Sequence, residues 1–190
     1  DQTRVFKMIF KDIDQPVTEV CLGCLCQAVS GCKQGLQCDG DACGLFRITW
    51  AYWADAGKPT IDGSSPEAPG AYPTCTNDPV CAARTVQLYM NRFGQDCNGD
   101  GQIDCYDYAA IHKLGGYGCK GELPFKFQNT FNQCLAYVAS YQGISGTAQR
   151  VLMKFDTDVE HSLEENIDYF FYVFSLIPHR RSRSRQLVLI

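Results

Sequence analysis

Apolar and polar positions divide the chain into a patterned interior and two flanks of different character. From Thr18 the stretch EVCLGCLCQAV is almost wholly apolar. It opens behind a residue suited to an N-cap and closes on Gly31, so a helix is predicted over it. QCDGDACGLFRITW follows, with a turn-rich centre at Asp39-Gly40 and an alternating run from Leu45 to Trp50, the pattern of a short hairpin. Residues 56 to 74, AGKPTIDGSSPEAPGAYPT, are dense in Gly, Pro and Ser and read as a surface loop with little regular structure. Asp78-Pro79 ends the loop, because Asp at the N-cap and Pro at the first helical position start a helix. That helix, PVCAARTVQLYMNRF, has Val86, Leu88, Tyr89, Met90 and Phe93 to bury. Further helices are predicted over YDYAAIHKL, closed by Gly115-Gly116, and around Phe127 to Tyr137. A mainly helical chain with one small β element belongs to the α+β class.

The flanks lack this order. Residues 1 to 17, with mixed charge around VFKMIF, are assigned to an N-terminal extension, residues 18 to 140 to one domain, and residues 141 to 190 to a C-terminal extension. The start has no apolar run of secretory-signal length, so the chain reads as processed or truncated there. YFFYVFSLI, residues 169 to 177, is too short to span a bilayer, and no transmembrane segment is expected. With RRSRSR behind it, the tail reads as a weakly ordered extension in preference to a membrane-surface or partner-binding one.

Cysteine content changes the picture most. The chain has twelve, at Cys21, Cys24, Cys26, Cys32, Cys38, Cys43, Cys75, Cys81, Cys97, Cys105, Cys119 and Cys134. An even number at this density is the composition of a disulfide scaffold. With only three His and no second cysteine pair at finger spacing, zinc on thiolates is the weaker reading. Disulfides imply an oxidising compartment, so the protein is expected to be secreted and extracellular. Between residues 21 and 134 eight Lys and Arg stand against eleven Asp and Glu, so no basic face is available and nucleic acid is excluded as a partner.

One loop has metal-ligand spacing. DCNGDGQIDCYD places Asp96, Asn98 and Asp100 at positions 1, 3 and 5 of an EF-hand pattern, Gly101 at 6, Gln102 at 7, Ile103 at 8, Asp104 at 9 and Asp107 at 12. Alternate oxygens on such a turn can surround Ca2+. Asp at position 12 is shorter than the bidentate Glu of the full pattern, and Cys97 and Cys105 restrain the loop. Two readings therefore stand, a weak calcium site and a polar connector braced by disulfides. No cofactor is required by either.

CLGCLCQAVSGC, ACGLFRIT, AYWADAG, CTNDPVCAARTVQLYMNRFG and CYDYAAIHKLGGYGC, in this order over residues 18 to 134, resemble the invertebrate-type lysozymes, the group that includes destabilase. The resemblance implies a small, mainly helical, disulfide-rich lysozyme-like domain with a short β-hairpin. It implies secretion and, in active members, hydrolysis of the β-1,4 bond of bacterial cell-wall glycan in defence or digestion. By the family pattern Cys26 pairs with Cys32, Cys38 with Cys43, Cys75 with Cys81, Cys97 with Cys119, Cys21 with Cys105 and Cys24 with Cys134. An additional family pair is replaced by Ala56 and Thr85.

The resemblance also shows what this chain lacks. Glycoside hydrolysis of this kind uses two carboxyl groups, one donating a proton to the leaving oxygen. In active members the donor is a Glu directly before Ser-Gly-Cys, where this chain has Val29. Only Glu67 and Glu122 lie between Cys21 and Cys134, neither placed to replace it. For the second carboxylate, Asp41 matches better than Asp39 by its distance from Cys38, although the loop is shortened and an Asx-type turn explains both residues. His112 matches the histidine tied to isopeptidase action, but the companion loop Ser is absent, which favours a structural role. Trp50, Tyr52 and Trp53 are candidate platforms for sugar faces, or core residues. The sequence reading is thus a secreted lysozyme homologue with impaired catalysis, the alternatives being an active lysozyme with substitute carboxylates and a glycan- or calcium-binding module.

Overall fold

The structure, a computed structural model, describes residues 15–33 and 37–142. Helix α1 (Glu19–Ser30) starts where the Thr18 hydroxyl accepts the Cys21 N–H at 3.2 Å. It stops where Gly31, at φ 68°, returns its N–H to Gln27 O. Both ends are those predicted, because both depend on single-residue backbone preferences.

The hairpin turns at a different place from the one expected. Strands β1 (Ala42–Cys43) and β2 (Ile48–Thr49) pair antiparallel with Cys43 opposite Ile48, so the chain reverses over residues 44 to 47. Asp39-Gly40 belongs to a smaller turn closed by an isolated bridge from Asp39 to Ala42. Gly44 has φ 69°, and a Cβ there would overlap the Thr76 carbonyl, so only glycine permits this turn to lie on that backbone. Thr49 then caps helix α2 (Trp50–Asp55) through the Tyr52 N–H, which takes Trp50 out of the expected strand.

Within the expected loop of residues 56 to 74 a 3-10 turn forms at Ile61–Gly63, and helix α3 (Ala71–Asn77) begins. Pro73 lies in the first turn of α3, where a missing N–H breaks no helical bond. Asp78 accepts the Cys81 N–H at 2.7 Å and starts α4 (Pro79–Phe93), as predicted. Helices α5 (Cys105–Leu114) and α6 (Phe125–Gln142) complete the described elements.

Leu25, Phe46, Ile48, Trp53, Val86, Met90, Ile111 and Phe131 are fully buried and draw α1, the hairpin and α2 to α6 into one core. Each such side chain contributes about 1.5–3 kcal/mol by leaving water. The indole N–H of Trp53 donates to Pro59 O at 2.8 Å, so its burial leaves no donor unsatisfied. Val17, assigned from sequence to the N-terminal extension, belongs to this core. It is buried, and the Gln87 carboxamide accepts its N–H at 3.0 Å and donates to its carbonyl at 2.7 Å.

All twelve cysteines are paired, as Cys21–Cys105, Cys24–Cys134, Cys26–Cys32, Cys38–Cys43, Cys75–Cys81 and Cys97–Cys119. These are the pairs the resemblance implies. Cys24–Cys134 joins α1 to α6 across 110 residues of sequence, and a loop of that size is stabilised in the chain-entropy view by about 4–5 kcal/mol. No helix among the described residues is long and apolar enough to cross a membrane. Residues 1–14 of the expected N-terminal extension, YFFYVFSLI and RRSRSR lie outside the described residues.

Candidate functional site

The end of α1 and the hairpin meet at Ser30, whose hydroxyl donates to Leu45 O at 2.6 Å and lies 3.2 Å from Cys26 O. With Cys26–Cys32 closing the same corner, the helix end is held firmly against the turn. Val29 is half-buried there and packs on the core. On the hairpin Arg47 grips Asp39, donating to its carbonyl at 2.9 Å with the carboxylate at 3.5 Å. Asp41 is exposed. Tyr72 of α3 steadies the hairpin, its hydroxyl donating to Ile48 O at 2.6 Å and lying 3.1 Å from Asp41 O. Burial raises the Tyr72 pKa first, and the negative charge of Asp41 raises it further. Both Glu side chains of the cysteine-rich span are exposed and in loops, and Glu67 accepts from Lys58 at 2.7 Å.

The three candidate sugar platforms separate. Trp50 is 56 % exposed, with the Lys58 ammonium 5.8 Å from its ring centre. Tyr52 and Trp53 are buried and offer no face to a ligand, which corrects their assignment as platforms. Helical geometry is the reason. Successive residues of α2 point about 100° apart, so Tyr52 and Trp53 turn inward onto Tyr89, stacked at 3.6 Å, and Tyr72, at 5.8 Å.

His112 is half-buried between three elements. Its Nε2 lies 2.9 Å from Phe46 O, and since a carbonyl only accepts, that nitrogen holds the proton. Nδ1 therefore accepts from the Tyr52 hydroxyl at 3.1 Å. Both nitrogens are engaged in tying α5 to the hairpin and α2. Burial lowers the His112 pKa to about 4, with the Phe46 carbonyl opposing and Lys113 assisting. An unfolded His takes its proton near pH 6.5. The stabilisation from neutral His112 is thus complete above that pH and is lost as pH falls toward 4, because the unfolded chain binds the proton first. Thermal unfolding between pH 7 and 4 is expected to show this loss, up to about 3 kcal/mol, and His112→Gln to flatten it.

The EF-hand-like loop turns its side-chain oxygens onto its own backbone. Asp96 accepts the Gly99 and Gly101 N–H groups, Asn98 that of Asp100, and Asp100 that of Gln102. Asp104 caps α5 by accepting the Tyr106 N–H at 2.8 Å. Asp107 is fully buried, with one oxygen on the Cys97 and Asn98 N–H groups and the other on that of Asp104. The residue that should close the coordination sphere is thus turned into the protein. Among the described residues no group of three or more His, Cys, Asp or Glu is arranged to hold a metal ion, and the inward turn of Asp107 favours the connector braced by disulfides over a cation site.

Ser30 and Tyr72 fix the site's frame, and sequence reasoning passed over them. A hydroxyl, on Ser30 at the helix end and on the Tyr72 ring, was their only signal.

A family model described as Destabilase matches residues 18–134. Invertebrate-type lysozyme 3 of Caenorhabditis elegans is 37% identical over 119 residues, covering 60% of this chain and 84% of the relative. A lysozyme of Magallana gigas is 30% identical over 135 residues, covering 68% of this chain and 88% of the relative. A chain in the crystal structure of Aeromonas hydrophila PliI in complex with Meretrix lusoria lysozyme aligns with 31% identity and a TM-score of 0.47, covering 70% of this chain and 94% of that one. With the family model spanning the whole cysteine framework, the chain belongs to the Destabilase family of invertebrate-type lysozymes.

Proposed function

We propose that this chain is a secreted member of the family that binds bacterial cell-wall glycan while hydrolysing it little or not at all. The unit concerned is taken as residues 18 to 140, with the C-terminal stretch as an extension to it. The observation that carries the reading is Val29, an aliphatic side chain at the helix end where the family's active members carry the proton donor. Neither Glu67 nor Glu122 sits on that helix end. Six disulfides and the acidic balance of the domain support export and argue for a neutral or polar ligand over a polyanion.

Of the three candidate platforms, Trp50 is the one whose ring remains available to a sugar. Cosedimentation with insoluble peptidoglycan, run beside a turbidity assay of lysis, tests the reading. The folded protein is expected to pellet without clearing the suspension. Trp50→Ala is expected to weaken retention about tenfold, the loss usual for one exposed aromatic anchor. Absence of retention, or lysis by the parent protein, would overturn the proposal.

A further inference from the structure

Beyond the helix end and hairpin, an open pocket of about 590 Å³ lies between the end of α4 and the loop that follows α5. That volume suits one or two sugar rings. Its construction is specific. Gly116 lies so close to the Phe93 ring that a Cβ would overlap it, so the loop presents backbone directly to the pocket. Tyr89 holds this contact by accepting the Gly116 N–H at 3.2 Å, and Gln95 holds it by donating to Phe93 O and Gly116 O.

Two aromatic and two cationic groups complete the lining. Tyr117 is 94 % exposed and stands edge-on to Phe93, with ring centres 5.5 Å apart. The Arg92 guanidinium lies over Phe93 at 5.0 Å, and its Nη1 donates to the Asp55 carbonyl at 2.8 Å and pairs with the Asp55 carboxylate at 3.4 Å. The Lys120 ammonium forms no ion pair among the described residues. Acids stand near both cations, Asp55 beside Arg92 and Asp96 within electrostatic reach of Lys120. Neither lines the pocket, and the Asp96 oxygens are taken by the Gly99 and Gly101 N–H groups.

An aromatic face for sugar C–H groups and two cations at one rim form a combination that discriminates by charge. We propose that this pocket is a subsite for a sugar ring bearing a carboxylate, held by Arg92 and Lys120 against Tyr117. The proposal deepens the glycan-binding reading and rests on it for the ligand class, while using residues separate from Trp50.

Amide-resolved NMR titration of the folded protein tests it, with methyl β-glucuronide as probe and methyl β-glucoside, which differs by the carboxylate, as control. The glucuronide is expected to shift the Gly116, Gly118 and Gly121 amides and to bind about tenfold more tightly than the glucoside, the order of one charge-assisted hydrogen bond. Lys120→Gln and Arg92→Gln, both at exposed positions, are each expected to remove most of that preference, and Trp50→Ala to leave it intact. Equal binding of the two sugars, or no shift of these amides, overturns the subsite. Loss of peptidoglycan retention with the glucuronide preference preserved overturns the function proposed above and supports the pocket.

Discussion

Val29→Glu is expected to turn a protein without measurable lysis into one that clears purified peptidoglycan. General-acid catalysis contributes about 10²- to 10⁴-fold in rate, and a gain of that size over the parent is the expected result. The physical basis is the place itself. Val29 is half-buried on an apolar core at the end of α1, surroundings that disfavour an ionised carboxyl and so keep a Glu protonated. Ser30 and the Cys26–Cys32 bridge fix that helix end, and the Ser30 hydroxyl ties it to the hairpin that bears Asp41, so a restored acid would stand on a fixed frame. Val29→Gln has the same shape without a transferable proton and is expected to stay inert. Asp41→Asn in the Val29→Glu background is expected to abolish the gain. Equal lysis by the parent and the Glu variant would show that the proton comes from elsewhere. Inactivity of a folded Glu variant would show that the second carboxylate is also lost.

Asp107→Ala is expected to cost about 3–5 kcal/mol of stability, read as a fall in Tm of roughly 10–20 °C. Three backbone N–H groups, of Cys97, Asn98 and Asp104, converge on its fully buried carboxylate. Removing the acceptor leaves them without partners in a dry environment, and each orphaned donor carries its own desolvation penalty. Asp107→Asn keeps one carbonyl oxygen and is expected to lose less. With Asp107 committed to these internal partners, chelator or added Ca2+ is expected to leave the Tm of the parent unchanged. A Tm that climbs with Ca2+ concentration would mean that Asp107 leaves its internal partners to bind the ion, by the linkage of any ligand that prefers the folded state.

The calcium motif and the aromatic run show how far residue type and spacing reach. Asp96, Asn98, Asp100, Asp104 and Asp107 fit a ligand pattern by position, yet spacing alone does not say whether a carboxylate points to a cation or to its own backbone. The same donors serve both uses, and burial sets Asp107 on its own backbone. Trp50, Tyr52 and Trp53 are alike in composition, and only the rotation of α2 against Tyr89 and Tyr72 leaves Trp50 outside. His112 is similar. Its type permits catalysis, whereas its partners, Phe46 O and the Tyr52 hydroxyl, come from positions 66 and 60 residues away.

By itself the sequence determined what depends on neighbouring residues or on composition. Thr18 and Gly31 bound α1, Asp78-Pro79 starts α4, the cysteine density implies a disulfide scaffold, and Val29 puts a non-ionisable group before Ser-Gly-Cys. Caps, proline and glycine act through the backbone of one or two residues, so no distant contact is needed to read them. Tertiary structure decided the place where the hairpin turns, the helix emerging at Ala71 from a Gly- and Pro-rich loop, the inward turn of Asp107 and the pocket beside Phe93. Each of these depends on contacts between distant segments, such as Gly44 lying on the Thr76 carbonyl and Gly116 on the Phe93 ring. Local propensity gives way at such places, because close packing of remote backbone selects one of several locally permitted conformations.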